Sequence, residues 1–214
     1  MAIQYGEVKI SWLGHDGFLI EAEGKKIYID PYQIDGREKA AADYLLITHS
    51  HYDHLSIPDI EKIVTANTTI ICPVDCQSKL NKFKMKQLKT LAPGDDFESG
   101  PLRVDAVPAY NTDKPFHPRE NDWLGYLITI AEVTVYHTGD TDVIPEMSDI
   151  ECNIALLPVS GMYVMSAEEA AKAADLIEPE VCIPMHWGAL VGTEEDAAKF
   201  KKLAKCKTVI LEKE

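Results

Sequence analysis

Positive charge is scarce in this sequence: 21 Lys and Arg face 35 Asp and Glu, a formal net charge of -14 at pH 7. Affinity for nucleic-acid backbones comes largely from Lys and Arg that neutralise phosphates, so a polynucleotide substrate is not expected. Long apolar runs are missing too. No segment reaches the roughly 18 apolar residues of a membrane-spanning helix, so no membrane association is expected. The start, Met1-Ala2-Ile3-Gln4-Tyr5-Gly6, lacks the basic residues and apolar core of an export signal, and a cytoplasmic location is expected. Cysteine is sparse and unpatterned. Cys72, Cys76, Cys152, Cys182 and Cys206 form no C-x-x-C pair and are expected to be buried, reduced thiols. No G-x-S-x-G, Walker loop or dinucleotide fingerprint occurs, so serine-hydrolase, nucleotide-motor and nicotinamide chemistry have no foothold.

What the chain does hold is 214 residues, 46% of them apolar, with both charge signs interspersed; this suits one core in a single domain over 1–214. Its densest chemistry is Thr48-His49-Ser50-His51-Tyr52-Asp53-His54, directly after the apolar run Tyr44-Leu45-Leu46-Ile47. A buried strand there runs into a polar tip. Imidazoles and a carboxylate at spacing H-x-H-x-D-H give the nitrogen and oxygen donors that zinc and similar divalent ions take. A solvated histidine-rich loop has no reason to follow a strand of Leu and Ile, so metal binding is the preferred reading. If the chain stays extended past Thr48, His49 and His51 share one side, while Asp53 and His54 can turn toward a second ion.

The pattern His49-x-His51-x-Asp53-His54 resembles the signature of the metallo-β-lactamase superfamily. Trp12-Leu13-Gly14-His15, Ile29-Asp30-Pro31, Thr138-Gly139-Asp140-Thr141 and Ile183-Pro184-Met185-His186-Trp187-Gly188 are similar to elements of its small, lactonase-like branch. The resemblance implies an α/β fold, a four-layer αββα sandwich, with a one- or two-metal hydrolytic centre between the sheets. It also implies ligands: His49, His51 and a third residue for one ion, Asp53, His54 and His186 for the other, and Asp140 spanning both. The superfamily usually ends the strand near 102–107 on its third histidine, where this chain has Tyr110 and Asn111. The nearest histidine, His117 in the Pro-rich loop Lys114-Pro115-Phe116-His117-Pro118, is expected to replace it, with Asn111 or no third ligand as alternatives. Asp30 reads as an acceptor orienting the His-x-His loop, His15 as either a turn residue or a neighbour of the centre, and His137 as packed.

Alternation predicts strands at 8–12, 17–22 and 26–30 and short buried strands at 69–73, 102–107, 123–130, 133–137, 153–158, 181–184 and 208–211. Helices are expected to open at Ser56, Asp75, Ser166 and Thr193, and 79–89 reads as a basic, solvated stretch. An internal echo, Gly17-Phe18-Leu19-Ile20 with Gly125-Tyr126-Leu127-Ile128 and Ile71-Cys72-Pro73 with Cys182-Ile183-Pro184, has an offset of about 110 residues and suggests two repeated halves packed sheet on sheet.

These readings combine into a metal-dependent hydrolase with two divalent ions per chain, zinc first, manganese or iron as alternatives. Hydroxide formed on the ions would attack a small ester-like substrate, a lactone or phosphodiester, with Asp53 and His54 catalytic as well as ligating. A metal-binding module without turnover and an iron-dependent redox protein are the rival readings. Oligomeric state is left open.

Overall fold

At Ile27-Tyr28-Ile29 the pleat sends the two Ile side chains into one core and Tyr28 into another, and the same division recurs at Ile154-Ala155-Leu156-Leu157. Each strand is therefore apolar on both faces and needs cover on both sides. The computed structural model, which describes residues 2–35 and 40–214, provides it. Its first half carries β1 (Ile3–Tyr5), β2 (Val8–Gly14), β3 (Gly17–Ala22), β4 (Lys25–Ile29), β5 (Tyr44–Leu46), β6 (Thr69–Cys72) and β7 (Gln87–Thr90). The second carries β8 (Asp96–Ser99), β9 (Leu102–Pro108), β10 (Leu124–Ile130), β11 (Val133–His137), β12 (Ile154–Pro158), β13 (Val181–Met185) and β14 (Lys207–Thr208). Each set forms its own seven-stranded sheet, ordered as in the sequence.

The inner faces of the sheets meet in a core that includes Ile10, Phe18, Ile29, Tyr126, Leu156 and Ile183. Outside the first sheet, α1 (Ile57–Ile63) and α2 (Gln77–Leu80) bury Ile60, Ile63 and Leu80 against Tyr28, Leu45 and Ile70. Outside the second, α3 (Ala167–Ile177) and α4 (Glu194–Leu203) pack Ala170, Ala174 and Phe200 on Ala155, Leu157 and Cys182. The architecture is a four-layer αββα sandwich. Its halves repeat: in each sheet the first four strands run antiparallel and the last four parallel. Ile27 pairs with Tyr44 and Tyr44 with Thr69, as Val135 pairs with Ile154 and Ile154 with Val181.

Several local expectations are corrected. Ser56 does precede α1, but its hydroxyl donates to the Asp59 carboxylate rather than capping the helix, while that carboxylate accepts from the backbone of Gln33 and Ile34. Asp75 likewise caps nothing and takes the Trp123 indole N–H at 2.8 Å. The basic stretch 79–89 contains the start of β7, and the strand expected at 208–211 is confined to β14. Cys182 and Cys206 form a disulfide, against the expectation of reduced thiols; Cys72, Cys76 and Cys152 are free. Parallel pairing of β13 with β14 sets Cys182 opposite Thr208, which brings Cys206, just before β14, within reach.

Candidate metal centre

All the polar strand exits of both halves gather at one edge of the sandwich. Two bonds from β10 and its approach tie the histidine loop to the second sheet: Tyr126 Oη donates to Ile47 O at 2.7 Å, and Leu124 N donates to Thr48 O at 3.0 Å. From the first half, Asp30 at the end of β4 accepts from Thr48 N at 2.9 Å and from the Thr48 hydroxyl. Both halves thus hold the loop between them. Its backbone turns at His51, whose carbonyl accepts from His54 N and Leu55 N, so the motif folds back on itself.

Asp140 is brought into the same space by Gly139, whose φ is 62°; a Cβ there would lie 2.6 Å from Leu124 O. The position is open to glycine alone. Asp140 Oδ2 lies 3.0 Å from His117 Nε2, 3.2 Å from His186 Nε2 and 3.9 Å from His49 Nε2, and its Oδ1 lies 3.4 Å from His54 Nε2. His49, His51 and His117 form one compact donor group, and His15, Asp53, His54 and His186 a second. Asp53 Oδ2 is 3.0 Å from His15 Nε2 and 3.8 Å from His54 Nε2. The structure brings together all seven residues singled out as ligands from the sequence, and places His15, read there as a turn residue or a neighbour of the centre, beside them.

Four of the rings share one orientation, while His51 differs, its Nδ1 lying 2.9 Å from His49 Nε2. His54 Nδ1 faces Asp30 Oδ2 at 2.8 Å, His49 Nδ1 faces Thr48 Oγ1 at 3.0 Å, His117 Nδ1 faces Asn111 Oδ1 at 3.0 Å and His186 Nδ1 faces Ser160 Oγ at 2.9 Å. Each acceptor can take an Nδ1–H, which leaves Nε2 turned toward Asp140 and able to serve a cation through its lone pair once it carries no proton. Nε2 of His54 and of His117 and Oδ1 of Asp140 are buried without a hydrogen-bond partner. Buried polar atoms left unpaired at one point, each backed by an outer acceptor, fit divalent cations well. Trp123 closes the wall, its ring centroid 4.8 Å from that of His49 and 4.7 Å from that of His51.

Electrostatics of the cation-free protein follow from burial beside one carboxylate. Burial pushes His49 well below its ordinary value, and lowers His51 and His15 for the same reason. Burial also opposes charge on His186 and His54, but Asp140 outweighs it, raising His186 to about 9 and His54 well above the ordinary range. For Asp53 burial acts upward, yet the His15 hydrogen bond and the charge on His54 bring its carboxyl to about 2. Burial drives Asp16 well up.

Residues 9–186 match the model of the β-lactamase superfamily domain. The chain belongs to the metallo-β-lactamase superfamily. Within the superfamily it is 33% identical over 210 residues to a UPF0173 metal-dependent hydrolase of Methanopyrus kandleri, covering 91% of this chain and 90% of the relative. A UPF0173 metal-dependent hydrolase of Archaeoglobus fulgidus is also 33% identical, with 96% and 94% covered. Among solved structures, a candidate metal-dependent hydrolase from Parabacteroides distasonis superposes with TM-score 0.87 at 32% identity, covering 100% of this chain and 98% of the other. The metallo hydrolase Igni18 of Ignicoccus hospitalis gives 0.77 at 26%, with 96% and 95% covered.

Sequence reasoning missed Asn111 and Ser160 as ring-orienting acceptors. Asn111 holds His117 doubly: its Oδ1 accepts from His117 N at 2.9 Å and faces the ring Nδ1 at 3.0 Å, while its Nδ2 donates to Tyr163 O at 3.0 Å. Asn111→Ala is expected to weaken binding of one cation about 10–100-fold, the usual cost of losing an outer partner of a ligating histidine. Competition with a chromophoric chelator measures it, and an unchanged affinity would remove Asn111 from this role.

Proposed function

We propose that the chain hydrolyses a small, uncharged ester-type substrate, a lactone foremost, at a centre of two divalent cations. His49, His51 and His117 would hold one, Asp53, His54 and His186 the other, with Asp140 shared. The observation that carries this reading is the set of outward-held rings whose Nε2 atoms surround Asp140. The cations, when bound, supply a water acidified to a pKa of roughly 7 and positive charge for the scissile carbonyl oxygen. Asp53 stays ionised at neutral pH, is steadied by His15 and lines the cavity above the histidines, so it can accept a hydrogen bond from the attacking water and orient it.

Substrate class is argued from the walls. The cavity is about 360 Å³, room for a small molecule. Tyr52, Phe116, Tyr163, Leu190 and Val191 line it above His51, Asp53, Asp140 and His186, and among the described lining residues there is no Lys or Arg. Phe116 and Tyr163 meet edge to face at 4.7 Å. An apolar acyl or aryl group has surface to cover there, and among the described lining residues no side-chain cation would pair with a charged group carried away from the centre. The test is a screen of cation-loaded protein over aryl lactones, thioesters and bis-aryl phosphates. Turnover of the lactones ahead of the phosphates is expected; turnover of the phosphates alone would overturn the substrate class, and turnover of none of them the hydrolytic reading.

A further inference from the structure

Asp16 has no part in the arrangement above, yet it points into it. The side chain is fully buried, and neither carboxylate oxygen has a hydrogen-bond partner. Its Oδ2 lies 3.5 Å from His54 Nε2 and 3.8 Å from His186 Nε2. One ligand atom each from Asp16, His54, Asp140 and His186 all lie within 4.8 Å of one another. The backbone enforces this aim. At the end of β2 the chain passes through Gly14 and His15 with φ of 98° and 53°, and the Asp16 carbonyl is fixed against His137 Nε2 at 3.0 Å. A dehydrated carboxylate with no donor is costly to keep, and a neighbouring cation removes that cost.

We propose that Asp16 gives a carboxylate oxygen to the second cation and biases that position toward a harder ion such as Mn2+. The inference rests on the two-cation reading above. The two positions then differ in kind. His49, His51 and His117 with Asp140 make a nitrogen-rich set suited to zinc, while His54 and His186 with Asp16 and Asp140 make a set richer in oxygen and in negative charge.

The experiment titrates cation-free wild type and Asp16→Asn with Mn2+ and, separately, Zn2+, by calorimetry and by the electron paramagnetic resonance of bound Mn2+. Two Mn2+ per wild-type chain are expected. In Asp16→Asn the second Mn2+ should bind at least about 10–100-fold more weakly, with a smaller loss for the second Zn2+ and an unchanged first Zn2+. A second Mn2+ bound as tightly by the variant, or a wild type that holds only one ion, overturns the proposal; equal losses for Mn2+ and Zn2+ overturn the bias. Should the variant fail to fold, a crystal structure of Mn2+-loaded wild type decides, with an Asp16 oxygen expected at about 2.0–2.6 Å from the second ion and separation beyond that range overturning the assignment. Binding as described without hydrolysis of any ester would fault the hydrolytic reading and leave this one standing. Hydrolysis with Asp16 indifferent to cations would fault only this one.

Discussion

Asp140→Ala is expected to lower kcat about a thousandfold or more and to leave the protein with at most one bound cation. Losing an outer partner of a ligating residue costs about 10–100-fold, and Asp140 faces both donor groups at once. Its Oδ2 is turned to His117 and His186, and its Oδ1 to His54. The carboxylate is also the negative charge around which the imidazoles are packed, so its loss leaves two cations with less to hold them together. Asp140→Asn separates the contributions: shape is retained and charge removed, so a similar loss in both variants assigns the effect to charge. Mass spectrometry for cation content and initial rates on the best lactone measure the outcome. A variant with both ions and the wild-type rate would sink the assignment.

Cation loading near pH 7 is expected to release protons and to raise Tm by about 8–16 °C for each cation bound. The protons come from His54, His186 and Asp16, all raised in the cation-free protein, while His49, His51 and His15 are lowered. A ligand at a thousand times its Kd stabilises by about 4 kcal/mol, and each kcal/mol shifts Tm by about 2–4 °C in a chain of this size. The signs in pH are opposite for the two forms. A raised His186 stabilises the cation-free fold fully below the unfolded value of roughly 6.5 and loses that contribution as pH rises through about 9. The loaded form instead weakens on acidification, as protons compete for the same nitrogens. Calorimetry with and without chelator, in buffers of different ionisation enthalpy, gives both quantities. Parallel pH slopes for the two forms would refute the account.

What could be read from the sequence followed from burial. The run Tyr44–Ile47 ending in His49, and Val181–Pro184 ending before His186, announce themselves because strands covered on both faces are continuous in apolar residues and polar residues mark their exits. The repeat with its offset of about 110 was legible for the same reason, since the most buried strands of each half carry the echo. Edge strands escaped. In β7 and β8 no residue is buried, so Gln87–Thr90 and Asp96–Ser99 show no apolar run. Nor could composition reveal Asp16, which stands in Gly14-His15-Asp16-Gly17 and reads as a turn. Only the distance to His54, 38 residues on, gives that carboxylate its meaning, and the same holds for Ser160 behind His186.

The matched order of the two sheets has a consequence for how the chain could have arisen and how it can be rearranged. Asp30 and Asp140 leave corresponding strands of the two halves, yet one steadies the loop and the other faces the cluster of rings. Duplication of a single ancestral unit explains this division of labour, the second copy being released from scaffolding once the first retained it. A circular permutant opened in the turn at Pro93-Gly94-Asp95, between the duplicated units, should therefore assemble the same pocket, whereas either unit expressed alone should bind no cation tightly.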